Sequence, residues 1–297
     1  EADRLSTTGY AVGYLGGGLC LAIAVLLITF GHSLGISPEP DGEIGGTGLT
    51  ARLGFVLVAV WWLVFTIPYL RRVPEPPAQI EPDERPGQNP ILVAFVRIGE
   101  TLRELKAYRH ALLMMLAFLA YSDGIGTIIR MAALYAAELK ISTQVTISCI
   151  LLVQFVGIPF AVLFGRIADR IGAKRSILLA LVGYIGICIW ASRVTEAWQF
   201  VAMGIMIGMV QGGAQALSRS LFSSLVPKHK SGEFFGLFST LEKFAGILGP
   251  WVFSVSASGR SAILSIVVFF VVGGVLLLFV DVEAGRRAAE RADASSG

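Results

Sequence analysis

The chain has 297 residues, of which 55% are hydrophobic and only 15% charged, with a formal net charge of +3 and a mean hydropathy of +0.72. Soluble domains carry about 25% charged residues, so this composition excludes an ordinary water-soluble domain and places most of the chain in lipid. The three cysteines, Cys20, Cys149 and Cys188, all lie inside apolar runs; they read as small buried hydrophobes, and no Cys/His spacing suggests a metal site.

The first residue is a glutamate, and the first apolar run, 9–34, is too long for a signal-peptide core and lacks a small-x-small cleavage site. It is expected to be a genuine span of a chain that begins partway through a longer protein. Gly9, Gly13 and Gly17 fall four apart on it, a small-residue stripe that lets a neighbouring helix approach closely. After a loop rich in Gly, Pro and acid, a second span is expected over 53–70, carrying Trp61 and Trp62 and ending near Pro68. The stretch from Arg71 to Arg109 is broken by Pro74, Pro76, Pro77, Pro82, Pro86 and Pro90. Its first half reads as an extended linker. Its second half, 90–108, sets Ile91, Phe95, Ile98, Leu102 and Leu105 at helical spacing, as in an amphipathic helix lying on a membrane surface.

A spanning helix needs about 20 mainly apolar residues, and six more candidates follow. They are 111–137, 145–164 with a kink expected at Gly157 and Pro159, 176–191, 198–221, 233–257 with a kink expected at Gly249-Pro250, and 262–280. Gly204, Gly208 and Gly212 repeat the four-residue glycine spacing in the sixth span. A basic turn, Pro227-Lys228-His229-Lys230, precedes the seventh, and a polar tail with Arg286, Arg287 and Arg291 ends the chain. Eight alternating spans put Lys and Arg on one side almost everywhere, leaving only Arg52, Lys140, Arg193 and Arg260 on the other. The basic side is therefore cytoplasmic.

The loop between the fourth and fifth spans is Gly165-Arg166-Ile167-Ala168-Asp169-Arg170-Ile171-Gly172-Ala173-Lys174-Arg175. Its spacing, Gly-x-x-x-Asp-Arg-x-Gly-x-Lys-Arg, resembles the signature loop of the major facilitator superfamily. The resemblance implies an all-α membrane protein of the major facilitator fold, with eight of an expected twelve helices present. Residues 1–73 are then the last two helices of an N-terminal half, 74–109 the cytoplasmic linker, 110–281 a six-helix C-terminal half, and 282–297 a cytoplasmic tail. Further helices of the same protein are expected to precede the chain. A narrower resemblance rests on Gly13-Tyr14-Leu15-Gly16-Gly17-Gly18, on Tyr121-Ser122-Asp123-Gly124 with Thr127 to Ala132, on Gln211 to Ser220, and on Glu233 to Leu237 with Lys243 and Leu248-Gly249-Pro250. These are similar to the vacuole-effluxer-like branch, whose fungal members are associated with release of amino acids from the vacuole.

Ionisable residues inside a span are costly, roughly 2.5–3.5 kcal/mol at a helix centre, so each needs a reason. Asp123 and Arg130 lie seven residues apart on one face of the third span, about 10 Å along the axis. They are candidates to bind a substrate amine (or a proton) and a substrate carboxylate; the competing reading is a structural anchor to a neighbouring helix. Gln211, Gln215 and Arg219 form a slowly rotating polar stripe on the sixth span. The glutamines are candidate cavity residues or interhelical glue, and Arg219 reads as an interfacial, snorkelling residue. Gln154 either lines the cavity or caps a polar contact. Lys243 is a further candidate substrate-binding residue, and Glu242 beside it a candidate proton site. Gly165, Asp169, Arg170, Gly172, Lys174 and Arg175 form a candidate conformational latch. Asp169 is expected to meet the start of the first span around Thr7, Thr8 and Gly9, with Arg170, Lys174 and Arg175 at the anionic inner leaflet.

The resemblance implies a secondary transporter working by alternating access in a bilayer, favouring efflux of amino acids or similar small zwitterions, with a proton as the candidate coupling ion. No P-loop, cofactor or nucleic-acid partner is indicated. A bacterial-type cytoplasmic membrane fits better than a vacuolar one. The alternative is a transport-inactive receptor or scaffold of the same fold. His32, His110 and His229 sit at span ends or in loops, and no nucleophile elbow or metal-binding helix motif is present, which argues against a membrane-embedded enzyme.

Overall fold

The structure, a computed structural model, describes residues 2–36, 49–74, 99, 103, 105–106, 108–244, 246–256 and 259–296. Among them the regular structure is helical. In chain order the helices are α1 (Ala2–Thr29), α2 (Leu49–Arg72), α3 (Arg109–Glu138), α4 (Thr143–Ile171), α5 (Ala173–Ala191) and α6 (Ala197–Ser223). A 3-10 turn follows (Lys228–Lys230), then α7 (Ser231–Phe244), α8 (Leu248–Val255), α9 (Gly259–Leu278) and α10 (Val282–Ser296). The first six helices and α9 are long and apolar enough to cross a bilayer, seven in all among the described residues. The amphipathic helix expected over 90–108 lies mostly outside the described residues. Leu105, which is described, is fully buried, and the neighbouring Tyr108 meets Phe234 edge-on at 5.7 Å between ring centroids.

The seventh expected span is present as two helices, α7 and α8, not one. The reason is chemical. Pro250 has no N–H to give the carbonyl four residues earlier, and its ring crowds that carbonyl. That carbonyl belongs to Gly246. Pro250 therefore sits in the first turn of α8, where a missing N–H costs nothing, and the chain between α7 and α8 leaves the helical path.

The chain forms two compact units, residues 15–93 and residues 1–14 with 94–297. In the first of these, a Cβ on Gly31 would collide with Thr50, so the turn after α1 packs on the start of α2. Only Thr50 and Gly54 of α2 are buried, while Phe55, Trp62, Phe65 and Tyr69 are exposed. A helix apolar on all sides and exposed along its length suits a lipid environment.

In the larger unit α6 is the central helix. Its glycine stripe faces α4: a Cβ on Gly204 would strike Cys149, one on Gly208 would come within 3.0 Å of the Val153 carbonyl, and one on Gly213 would strike Phe164. Gly212, the third of the stripe, would bring a Cβ to 3.0 Å from Ala161 Cβ of α4, and the glycines thus let the two backbones approach, as the sequence pattern predicts. Cys20, Cys149 and Cys188 are all buried and free. An aromatic cluster holds α7 against α3 and α6: Phe118 stacks on Phe238 at 4.3 Å and Phe222 lies 4.8 Å from Phe238. Across the unit, Tyr184 of α5 stacks on Phe270 of α9 at 4.9 Å.

The expected loop 165–175 is nearly all helix. α4 runs on to Ile171, α5 starts at Ala173, and Gly172 alone lies between them. Its φ of +87° belongs to a region that residues with a Cβ avoid. Its N–H donates to the Ala168 carbonyl at 2.9 Å and its own carbonyl accepts from Ser176 N–H at 3.1 Å, so one residue ends one helix and opens the next. Hydropathy places the fourth span's end at Phe164 because the next two turns are polar, yet their backbone remains helical.

Candidate functional site

A polar cleft of about 650 Å³ opens along the first turns of α1, bounded by α4 and α6. Ser6, Gly9, Tyr10, Gly13 and Tyr14 supply one wall; Gln154, Gln211, Gln215 and Arg219 supply the other. The glycine stripe of α1 does not serve helix packing here. A Cβ on Gly9 or Gly13 would meet nothing within 4 Å, so these glycines widen the cleft. Ser6 ties the wall to α6 by donating to the Ala216 carbonyl at 2.7 Å.

Tyr14 forms the floor. Its ring lies where Cβ atoms on Gly157 of α4 and Gly212 of α6 would be, 3.3 Å and 2.8 Å away. Gly157 therefore makes room for a ring; α4 continues without interruption through Pro159 to Ile171. Tyr14 Oη and Gln211 Oε1 are buried with no close hydrogen bond, each having the other's side chain beside it; Tyr184 Oη, outside the cleft lining, is also buried without a close partner. An unpaired buried polar group costs about 1–3 kcal/mol, and such groups at the floor of a cleft are suited to a polar ligand. Arg219, expected at the interface, instead lines the cleft, with its guanidinium 6.0 Å from the Phe235 ring centroid.

Glu242 is half-buried on the last turn of α7 and acts electrostatically on Tyr10. Lys243, one position on, is exposed and does not line the cleft.

Asp123 and Arg130 are elsewhere, at the break between α7 and α8. Asp123 Oδ2 accepts the Gly249 N–H at 3.0 Å, and Arg130 Nη1 donates to the Gly246 carbonyl at 2.8 Å. These are backbone groups that a continuous helix would have used: Gly246 O is the acceptor that Pro250 leaves idle. The two side chains thus hold both sides of the break and do not bridge each other. Between them Thr127, whose hydroxyl donates to the Asp123 carbonyl at 2.7 Å, sits so close to Gly249 that no Cβ would fit there. Two residues before Asp123, Tyr121 is hydrogen-bonded to Ser218 of α6 at 2.5 Å, in full burial.

At the basic end of the larger unit, Arg4 Nε donates to Asp169 Oδ2 at 2.7 Å. The contact falls one turn before the expected Thr7, because α1 begins at Ala2 rather than at Gly9. Gly165 faces the Thr7 hydroxyl, which a Cβ would approach to 2.5 Å. Lys174 does not reach outward. Its ammonium donates to the carbonyls of Leu278 (2.9 Å) and Val280 (2.7 Å), at the C-terminus of α9. Arg170 and Arg175 are exposed.

The cleft's principal aromatic residues, Tyr10 and Tyr14, escape the sequence reading, as does Tyr184. The period of four that places Gly9 and Gly13 also places Tyr10 and Tyr14 one residue on, and that spacing was the available signal.

Among the described residues, seven helices long and apolar enough to cross a bilayer define the class of integral multi-pass membrane proteins, and three helices wall the polar cleft. Residues 1–290 match the family model described as vacuole effluxer Atg22 like, and the chain belongs to that family. The chain is 32% identical over 287 residues to the uncharacterized MFS-type transporter YxiO of Bacillus subtilis, covering 95% of this chain and 64% of that protein. It is 28% identical over 319 residues to autophagy-related protein 22 of Yarrowia lipolytica, covering 97% of this chain and 52% of that protein. The chain thus spans between about half and two thirds of the length of these curated relatives. A crystal structure of a bacterial homologue of the human lysosomal transporter Spinster, inward-facing and unoccupied, is similar over 94% of this chain and 68% of that one, with a TM-score of 0.47 and 16% identity.

Proposed function

We propose that the protein is a secondary transporter working by alternating access, moving amino acids or similar small zwitterions, with export as its direction. The observation that carries this reading is the chemistry of the cleft. Gln211 Oε1 and Tyr14 Oη, beside one another without a close hydrogen bond, are an acceptor and a hydroxyl suited to an ammonium group, and Arg219 is a cation suited to a carboxylate. Gln211 and Arg219 are eight residues apart on α6, about 12 Å along the axis, and Gln215 lies between them. Substrate binding is therefore assigned to Tyr14, Gln211, Gln215 and Arg219. Asp123 and Arg130 are reassigned to the helix break, since both charges already serve backbone groups. Lys243 is exposed and is kept as a secondary candidate.

Coupling to a proton belongs to the same reading, with Asp123 and Glu242 as its candidate carriers. So does the division into a half ending at residue 73, a linker over 74–109 and a second half over 110–281. The discontinuity of α7 and α8 supports it, because broken helices accompany binding and coupling sites in transporters. The latch role of Gly165, Asp169, Arg170, Gly172, Lys174 and Arg175 is part of the proposal, supported by the Arg4–Asp169 contact. A bacterial-type cytoplasmic membrane is favoured by the higher identity to the bacterial relative.

The test is counterflow with the full-length protein in proteoliposomes, across a panel of labelled amino acids. Exchange of at least one amino acid, reduced at least tenfold by Gln211→Ala and by Arg219→Ala, is expected. No exchange across the panel would favour a transport-inactive receptor or scaffold.

A further inference from the structure

Asp123 has one oxygen in use and one idle. Oδ2 accepts the Gly249 N–H at 3.0 Å, while Oδ1 is buried without a partner and the residue is 2% exposed. A buried carboxylate is tolerated when paired or fully hydrogen-bonded. Here the Leu248 N–H also acts on the carboxylate, yet Oδ1 makes no close hydrogen bond, at the start of an eight-residue helix whose N-terminal groups favour negative charge. The charged neighbours are few. On its own helix Arg130 acts on it, while its guanidinium is bound to the Gly246 carbonyl. On α7, Glu242 and Lys243 occupy the last turn. α8 carries no titratable side chain. On α9, which packs on both α3 and α8, the one charged residue is Arg260, whose guanidinium contacts the Val194 carbonyl.

We propose that Asp123 Oδ1 is a proton-binding site that controls the break between α7 and α8. Proton binding adds one hydrogen to Oδ1, takes the carboxylate from −1 to neutral and breaks no covalent bond. The bond from Gly249 N–H loses its charge-assisted character, and Arg130 loses its nearby counter-charge. The start of α8 is then released from α3, while Arg130 still holds the Gly246 carbonyl on the α7 side. The two half-helices are free to change their mutual angle. Gly249 and Thr127 permit this only because no Cβ separates them. A single idle oxygen suits a proton better than a metal cation, which needs several oxygen ligands; among the described residues no group of three or more His, Cys, Asp or Glu is placed to hold one. The inference deepens the proton-coupling reading above and rests on it for its use in transport, but not for its structural consequence.

The test uses the full-length protein in nanodiscs without substrate. Spin labels are placed at Phe244→Cys and Trp251→Cys, two exposed positions flanking the break, and their separation is measured between pH 5 and pH 9. Infrared difference spectra over the same range report the carboxylic-acid carbonyl. Expected are a pH-dependent label distance and an acid carbonyl band, both lost in Asp123→Asn, which holds the acid-side distance at every pH. Glu138→Gln removes another carboxylate that accepts a helix N-terminal N–H, that of Gly259 at 3.0 Å, and should leave both signals. Should Asp123→Asn fail to fold, Asp123→Glu serves: it should move the band without abolishing it. A distance that does not respond to pH, a response unchanged in the Asp123 variants, or a shift driven by Na⁺ at fixed pH overturns the proposal. None of these readouts depends on flux, so a failed counterflow assay and a failed hinge assay are separate results.

Discussion

Arg4 and Asp169 are 165 residues apart in sequence, yet their side chains meet at 2.7 Å. The arginine is 72% exposed and the aspartate 28%, so the pair contributes at most about 1 kcal/mol to stability. Its value lies in which conformation it favours. It joins the first turn of α1 to the last turn of α4 at the basic end. Asp169→Asn is expected to change thermal unfolding little while weakening the outward-open state, seen as greater thiol labelling at the basic-side gate and less at the opposite gate. The charge swap Arg4→Asp with Asp169→Arg should restore the original labelling. Unchanged labelling in Asp169→Asn would remove the latch role.

Tyr14 separates the cost of packing from the use of a hydroxyl. Its ring fills space that Gly212 leaves, 2.8 Å from where a Cβ would stand. Gly212→Val should displace the ring and destabilise by about 1–3 kcal/mol, the cost of overpacking. Tyr14→Phe keeps the ring and removes a buried oxygen that has the Gln211 side chain beside it but no close hydrogen bond, so it should change stability by no more than about 1 kcal/mol. Counterflow should fall in both variants. A Tyr14→Phe protein that is destabilised, with undiminished exchange, would show that the hydroxyl has a structural partner instead.

The span pattern and the glycine stripe of α6 are legible in the sequence because hydropathy and the four-residue period are local properties. What is not local is the destination of a polar group. Asp123 and Arg130 share a face of α3, as their spacing requires, but their partners are backbone groups more than a hundred residues away. Nothing in the hydropathy of 233–257 says that the break at Pro250 will be satisfied in trans. Gly9 and Gly13 illustrate the same limit: a small-residue stripe predicts close approach, and only the fold decides whether a helix or a cleft takes the space. Lys174 belongs to a recognisable motif, yet its acceptors at Leu278 and Val280 cannot be read from that motif.

Lys174 supplies a stability test. Its ammonium satisfies two carbonyls at the end of α9, where the helix dipole also favours a cation. Lys174→Met keeps the apolar stem and removes both bonds. A loss of about 1.5–3 kcal/mol is expected, the range for hydrogen bonds to a charged group, measured as a lowered midpoint of thermal unfolding in detergent. Lys174→Arg should recover part of it. A midpoint unchanged in Lys174→Met would mean that water replaces the ammonium without cost.

One carboxylate, Asp293, docks the C-terminal helix α10 on the basic turn and another, Asp281, caps its start, and its protection should depend on pH in a stated direction. Asp293 meets His229 Nδ1 at 2.7 Å and accepts the Lys228 N–H at 3.1 Å. The His229 bond first, and then the Lys228 N–H, hold the Asp293 carboxyl below its ordinary value. Asp281 is lowered in the same sense, chiefly by the Ala284 N–H that it accepts at the start of α10. A carboxyl lowered in the docked state stabilises docking above its undocked pKa, about 3.9 for aspartate, and that contribution disappears as pH falls through the lower docked value. Amide exchange of α10 should therefore be slow and flat, after correction for intrinsic rates, from pH 8 to about pH 5, and accelerate below about pH 4. Asp293→Asn should raise exchange at pH 7 and shrink the acid-induced change, and Asp293→Asn with Asp281→Asn should nearly abolish it. Protection in the double variant that still collapses below pH 4 would assign the acid sensitivity to other carboxylates.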